Sequence, residues 1–130
     1  MSNKALLVIT HGNFGIELVK SVEMIMGEQE DVNALGLNPG ESVEDLRESA
    51  DRIVEANKEA GKETIILVDI LGGSPSNVAL YLMKKHGIKL VTGVNMYMLI
   101  EMFSQKDSVE SADELCDIMI ETATENIKKF

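Results

Sequence analysis

"ALLVITHGNFG", residues 5–15, decides how the chain is read. Ala5 to Ile9 is unbroken apolar sequence, and Thr10-His11-Gly12 ends it abruptly. A strand with one wet face alternates apolar and polar residues, whereas a strand covered on both faces does not. Lys4 to Thr10 therefore reads as a buried strand that hands over to a loop at His11. From Phe14 the period changes. Phe14, Leu18, Val22 and Met26 recur at every fourth residue, with Val19 and Ile25 widening the stripe and Gly27 as a stop.

The same handover repeats along the chain. Val32 to Leu37 is a second, weaker strand, followed by the loop "NPGE". Ser42 with Asp45 three residues on resembles a capping box, and Leu46, Ala50, Ile53, Val54 and Asn57 continue at helical spacing to Gly61. Thr64 to Ile70, "TIILVDI", is a third apolar strand, interrupted only by Asp69. After "LGG", Ser74 is expected as the N-cap and Pro75 as the first residue of a helix that Gly87 ends. Ile88 to Val94 is a fourth strand, and Met96 to Gln105 a short helix. A second capping box, Ser111 to Glu114, opens a last helix marked by Leu115, Ile118, Met119 and Ala123, reading as helical through Ile127.

Strands and helices in alternation imply an α/β fold: three layers, doubly wound, with a mainly parallel sheet. Right-handed crossovers leave few topologies, and the flavodoxin-like order 2-1-3-4 is the expected one. The 130 residues suit a single domain, 1–130. Aromatics make up 4 % with no Trp, so the core must rest on Ile, Leu, Val and the eight Met.

The net charge of −10 argues against nucleic acid and anionic membrane surfaces as partners. No apolar run reaches the ~18 residues that span a bilayer, and the N-terminus lacks signal-peptide architecture. A cytoplasmic location follows as the expectation. One cysteine, Cys116, allows neither an internal disulfide nor a cysteine metal cage. It falls within helical spacing and reads as a small buried hydrophobe. No metal and no cofactor are expected.

In the order 2-1-3-4 the first and third strands are neighbours, ~4.8 Å apart. His11 and Asp69 then meet at their carboxyl ends. A carboxylate on one ring nitrogen fixes the tautomer and leaves the other nitrogen with a free lone pair. That is how a histidine becomes a nucleophile. Two helices begin at the same crevice, and their N–H groups favour an anion. Gly12, Gly72 and Gly73 let backbone approach closely, and Thr10 and Ser74 add hydroxyls. Each feature has a plain structural explanation by itself; their convergence is the argument. There is no GxxxxGK[ST] loop, no GxGxxG and no Mg²⁺ carboxylate set, so a nucleotide is a poor phosphoryl donor. His86, in the last turn of a helix before Gly87, reads as structural.

These residues resemble the enzyme IIA component of the mannose-type (mannose/fructose/sorbose) sugar phosphotransferase system. The resemblance rests on "THG" after the first strand, "EMIMGEQEDV" at 23–32, "PGES" at 39–42, "LVDILGGSPSN" at 67–77 and "GVNMYMLIEM" at 93–102. It implies that His11 takes a phosphoryl group from the phosphocarrier HPr and passes it to a IIB component. The sugar is then carried and phosphorylated through the IIC/IID membrane components. It further implies that Asp69 hydrogen-bonds the histidine and that Gly72, Gly73 and Ser74 line the phosphoryl site. Asn13, Met24, Leu71, Asn95 and Met98 become candidate partner contacts. Leu71 and Asn13 stand where the family often has aromatics. Family members are homodimers that exchange an antiparallel edge strand near the C-terminus, in tension with the helical pattern of this tail.

Competing readings remain. "THGN" faintly resembles the phosphate loop of flavodoxins, although the loops after the third and fourth strands offer only Tyr97 to flank a flavin. The phosphotransfer subunit of dihydroxyacetone kinases has a related architecture and a histidine after the first strand. A histidine phosphatase would want Arg before His-Gly, where this chain has Thr10. A purely regulatory module is the bland alternative.

Overall fold

The computed structural model describes residues 3–130. Four parallel strands form one sheet: β1 (Lys4–His11), β2 (Val32–Leu37), β3 (Glu63–Val68) and β4 (Lys89–Thr92). Their order is β2-β1-β3-β4, as expected from the strand-helix alternation. Helices α1 (Phe14–Met26), α2 (Val43–Glu59), α3 (Ser74–His86), α4 (Met96–Gln105) and α5 (Ala112–Glu125) fill the connections and the end of the chain.

Strand alternation sorts the core into two halves. Leu6, Val8, Ile65 and Leu67 face one way and pack with buried residues of α1, α4 and α5, among them Val22, Leu99, Met102, Leu115 and Met119. Leu7, Ile9, Ile66 and Val68 face the other way, against Leu46, Ala50 and Val54 of α2 and Val78, Ala79 and Leu82 of α3. Both faces of the central strands are therefore dry, which explains their continuous apolar runs.

The stripe expected on α1 is rotated. Phe14 and Ile25 are exposed, and the buried positions are Gly15, Val19 and Val22. The cause lies in the sheet. A Cβ on Gly15 would come within 2.7 Å of Val8 Cγ1 and 2.9 Å of Thr10 Cγ2. The helix approaches β1 through its glycine, so the residues four and seven further on share that face. Helix starts at α2 and α5 follow the capping reading: Ser42 Oγ accepts from the Asp45 N–H at 3.2 Å and Ser111 Oγ from the Glu114 N–H at 3.1 Å.

At α3 the expectation is off by one. Gly73 is the N-cap, Ser74 is the first helical residue, and no side chain caps the end. With φ of +88°, Gly73 occupies a conformation that serine rarely takes. Other boundaries shift as well: β1 runs through His11, one residue past the expected end, and β3 begins at Glu63. β3 ends at Val68, so Asp69 lies just past the strand; β4 spans only Lys89–Thr92; and α5 ends at Glu125 instead of running through Ile127.

Candidate active site

The register pairs Ile9 with Val68 across β1 and β3 and His11 with Leu37 across β1 and β2. Strand 1 therefore overhangs its neighbour and delivers His11 beside Asp69. His11 Nδ1 lies 2.8 Å from Asp69 Oδ2, and the His11 backbone N–H donates to the same oxygen at 3.0 Å. The other carboxylate oxygen accepts from the Ile70 N–H at 3.0 Å. Burial pushes the Asp69 carboxyl up, but these hydrogen bonds from His11 and Ile70 outweigh it and hold its pKa below the ordinary aspartate value. A carboxylate accepts only, so Nδ1 carries the proton and donates it, and Nε2 keeps its lone pair.

The His11 side chain is 50 % exposed and that of Asp69 14 %. Among the described residues, Nε2 has no hydrogen-bond partner. What lies against it is Gly73: a Cβ there would sit 3.0 Å from Nε2 and 3.1 Å from Cε1. The Gly73 and Ser74 N–H groups open α3 at this point, unpaired among the described residues, where a helix favours an anion.

On the other side, Gly12 (φ +54°) donates its N–H to Leu37 O at 2.8 Å. Its carbonyl passes over Gly36, where a Cβ would come within 1.8 Å of the Gly12 oxygen. No other residue fits at Gly36. An open hollow of about 560 Å³ beside His11 is lined by Gly12, Leu37, Asn38, Pro39, Gly40 and Glu41.

Several expected site residues are buried, engaged elsewhere or distant from His11. Thr10 is fully buried, because it precedes His11 on the strand and faces α1. Its Oγ1 accepts from the Gly15 N–H at 2.8 Å, so its hydroxyl ties down the start of α1 and does not open to the crevice. Gly72 has its N–H taken by Ser76 Oγ at 3.1 Å. Met98 is buried in the core and cannot meet a partner. Asn95 spends its side chain on capping α4, its Oδ1 accepting from the Met98 N–H at 3.1 Å. Met24 is 86 % exposed but lies ten residues along α1, roughly 15 Å from the end that starts beside His11. Asn13 and Leu71 are both exposed and flank His11 in sequence and at the β3–α3 loop.

Sequence reasoning missed Gly36 and Ser76. A glycine inside a strand signals close approach of another backbone, so Gly36 was findable. It also missed that Phe14 and Ile70 are exposed; with Leu71 and Tyr97, also exposed, they follow the carboxyl ends of β1, β3 and β4.

Asp51, Glu55 and His86 form a group of three potential metal ligands at the opposite end of α3. Their polar atoms are already engaged. Asp51 meets His86 Nε2 at 2.7 Å and Lys85 Nζ at 2.9 Å, and Lys58 Nζ lies 3.3 Å from His86 Nδ1. Cys116 is buried, and burial pushes its thiol up to about 11.

The model of the "PTS system fructose IIA component" family matches residues 5–120. The chain belongs to the mannose-type family of phosphotransferase-system IIA components. It is 37 % identical over 125 residues to the mannose-specific EIIAB component of Escherichia coli, covering 95 % of this chain and 38 % of that protein. This chain thus spans well under half of the relative's length. It is 30 % identical over 112 residues to the fructose-specific EIIA component of Bacillus subtilis, covering 85 % of this chain and 76 % of that one. Among solved structures, the crystal structure of the phosphotransferase system component EIIA from Streptococcus agalactiae superposes with a TM-score of 0.88 at 33 % identity. That match covers 97 % of this chain and 96 % of the other.

Proposed function

We propose that this IIA domain, residues 1–130, carries a phosphoryl group on His11 between two proteins of a sugar-uptake system. The observation that supports this most is the half-exposed His11 with Nδ1 tied to Asp69 at 2.8 Å and Nε2 open. In this reading phospho-HPr is the donor and a histidine of a IIB component the acceptor, with the IIC/IID membrane components downstream.

Attack begins from the Nε2 lone pair. The Nε2–phosphorus bond forms while the nitrogen–phosphorus bond of the donor breaks, and the donor nitrogen recovers its lone pair. The Nδ1 proton stays in its bond to Asp69, which stabilises the positive charge that develops on the ring. Catalysis is positioning plus stabilisation of the phosphoryl oxygens by the Gly73 and Ser74 N–H groups. Similar bonds are broken and made, so transfer is reversible. The exposed side chains of Phe14, Ile70, Leu71 and Tyr97 suit docking of a protein surface. No cofactor is needed.

The reading places the chain in the cytoplasm; no helix among the described residues is long and apolar enough to cross a membrane. It also includes a homodimer. The outer edge of β4 has no strand partner among the described residues, and Ile127 and Phe130 of the tail are exposed.

Incubation with phosphoenolpyruvate, enzyme I and HPr tests the donor, and addition of IIB tests the acceptor. The expected outcome is label that enters this chain and leaves for IIB. Label that never enters contradicts the reading. Label that passes to a dihydroxyacetone kinase and not to IIB replaces the acceptor.

A further inference from the structure

Ser76 sits in the first turn of α3 with no exposed surface. Its neighbours on the buried side of the helix are Pro75, Val78, Ala79 and Leu82. A hydroxyl in such surroundings costs free energy unless it bonds. Here Oγ accepts the Gly72 N–H at 3.1 Å. A capping box uses a side chain in the first turn to reach back to the N-cap N–H. Ser76 reaches one residue further, past the N-cap Gly73 to Gly72.

That reach matters because of what it restrains. Gly72 and Gly73 have φ of +96° and +88° in succession. Glycines hold such conformations without steric cost, and for the same reason nothing intrinsic keeps them there. Neither β3 nor α3 includes them. Ser76 ties the glycine pair to the helix, and the helix is anchored in the core. The restrained backbone is the one against the reacting nitrogen: the Cβ direction of Gly73 points to within 3.0 Å of His11 Nε2. With the Gly72 N–H turned back to Ser76, the next two N–H groups, those of Gly73 and Ser74, are left at the crevice.

We propose that Ser76 is a positioning residue for phosphoryl transfer: its bond to Gly72 sets the Gly73–Ser74 backbone where its N–H groups meet the phosphoryl oxygens on His11. The inference rests on the proposed role of His11 as acceptor. Ser76 touches neither His11 nor the phosphoryl group, and no proton passes through it. Its effect is geometric, on donors whose placement decides how well they stabilise charge.

The test compares wild type, Ser76→Ala and Ser76→Thr with labelled phospho-HPr in single turnovers. Ser76→Ala is expected to slow the maximal transfer step ~10-fold, less than loss of a direct oxyanion donor. The donor concentration at half-maximal rate should stay within about two-fold, since docking is untouched. Ser76→Thr, which keeps the hydroxyl, should restore the rate. A second readout does not depend on whether the threonine methyl fits. The Gly73 and Ser74 amide protons should shift downfield on phosphorylation of wild type, and by less in Ser76→Ala.

A wild-type rate and unchanged amide shifts in Ser76→Ala overturn the inference. So does a rate loss that only matches a loss of folded protein by circular dichroism. If wild-type His11 takes no label, the proposed function falls, and this inference with it. If wild type labels normally and Ser76→Ala equals it, only this inference falls.

Discussion

The chain holds two histidine–aspartate pairs of nearly the same length. His11 and Asp69 meet at 2.8 Å, and His86 and Asp51 at 2.7 Å. By distance alone they are equivalent. They differ in the nitrogen left over. In the first pair Asp69 holds Nδ1, the ring is half exposed, and Nε2 faces the opening of α3. In the second, Asp51 takes Nε2, Lys58 approaches Nδ1 at 3.3 Å, and the side chain is 2 % exposed. In the proposed reading, an orienting carboxylate is not sufficient for a reactive histidine. The other nitrogen must be free, accessible and next to something that welcomes an anion.

The largest expected effect comes from closing the free nitrogen. Gly73→Ala places a methyl 3.0 Å from Nε2 at a backbone φ of +88°. Phosphoryl transfer should fall on the order of 100-fold, the scale of a misplacement near 1 Å. A stopped-flow or quenched transfer assay reads this, and an unchanged rate would mean that the contact does not guard the reacting nitrogen. His86 has no counterpart to this substitution, because no free nitrogen remains to block.

A smaller effect comes from making the same change in both pairs. Asp69→Asn should slow transfer roughly 10- to 100-fold by losing the orienting carboxylate. Asp51→Asn should leave the rate alone and cost about 1.5–3 kcal/mol of stability, as for a lost hydrogen bond to a charged group. The hydrogen bond from His86 chiefly, with help from Lys85 and against desolvation, holds the Asp51 carboxyl below its usual pKa. A depressed folded pKa adds stability that is fully present above the unfolded value near 3.9 and is lost as pH falls through the folded one. Denaturant titrations from pH 6 downward should therefore show a shallower acid decline in Asp51→Asn. An unchanged decline would remove this pair from the stability account.

What was legible from the residues follows from what is local. The bounds of β2 and α4 were readable, and so was the sheet order, because apolar runs and helical stripes alternate without interruption. His11 and Asp69 stood out as the polar breaks at the ends of two dry strands. Less legible was anything decided by which neighbour approaches. The α1 stripe turned because Gly15, not Phe14, lets the helix close on β1. Met98 looked like a loop-side contact but faces the core. Asp51 is the partner of His86 only because α2 and α3 pack on the same face of the sheet, and His86 by itself suggested only a helix dipole. Ser76 looks like any polar residue in a first helical turn; its bond to Gly72 depends on a glycine conformation that no spacing rule encodes.

The most direct test of the contrast between the pairs is to identify the phosphorylated atom. After labelling with phospho-HPr, phosphorus NMR and peptide mapping distinguish phosphate on Nε2 from phosphate on Nδ1 and locate the residue. The expected result is one acid-labile phosphohistidine, on Nε2 of His11, absent in His11→Ala and retained in His86→Ala. Phosphate on Nδ1 of His11, or on His86, would contradict it.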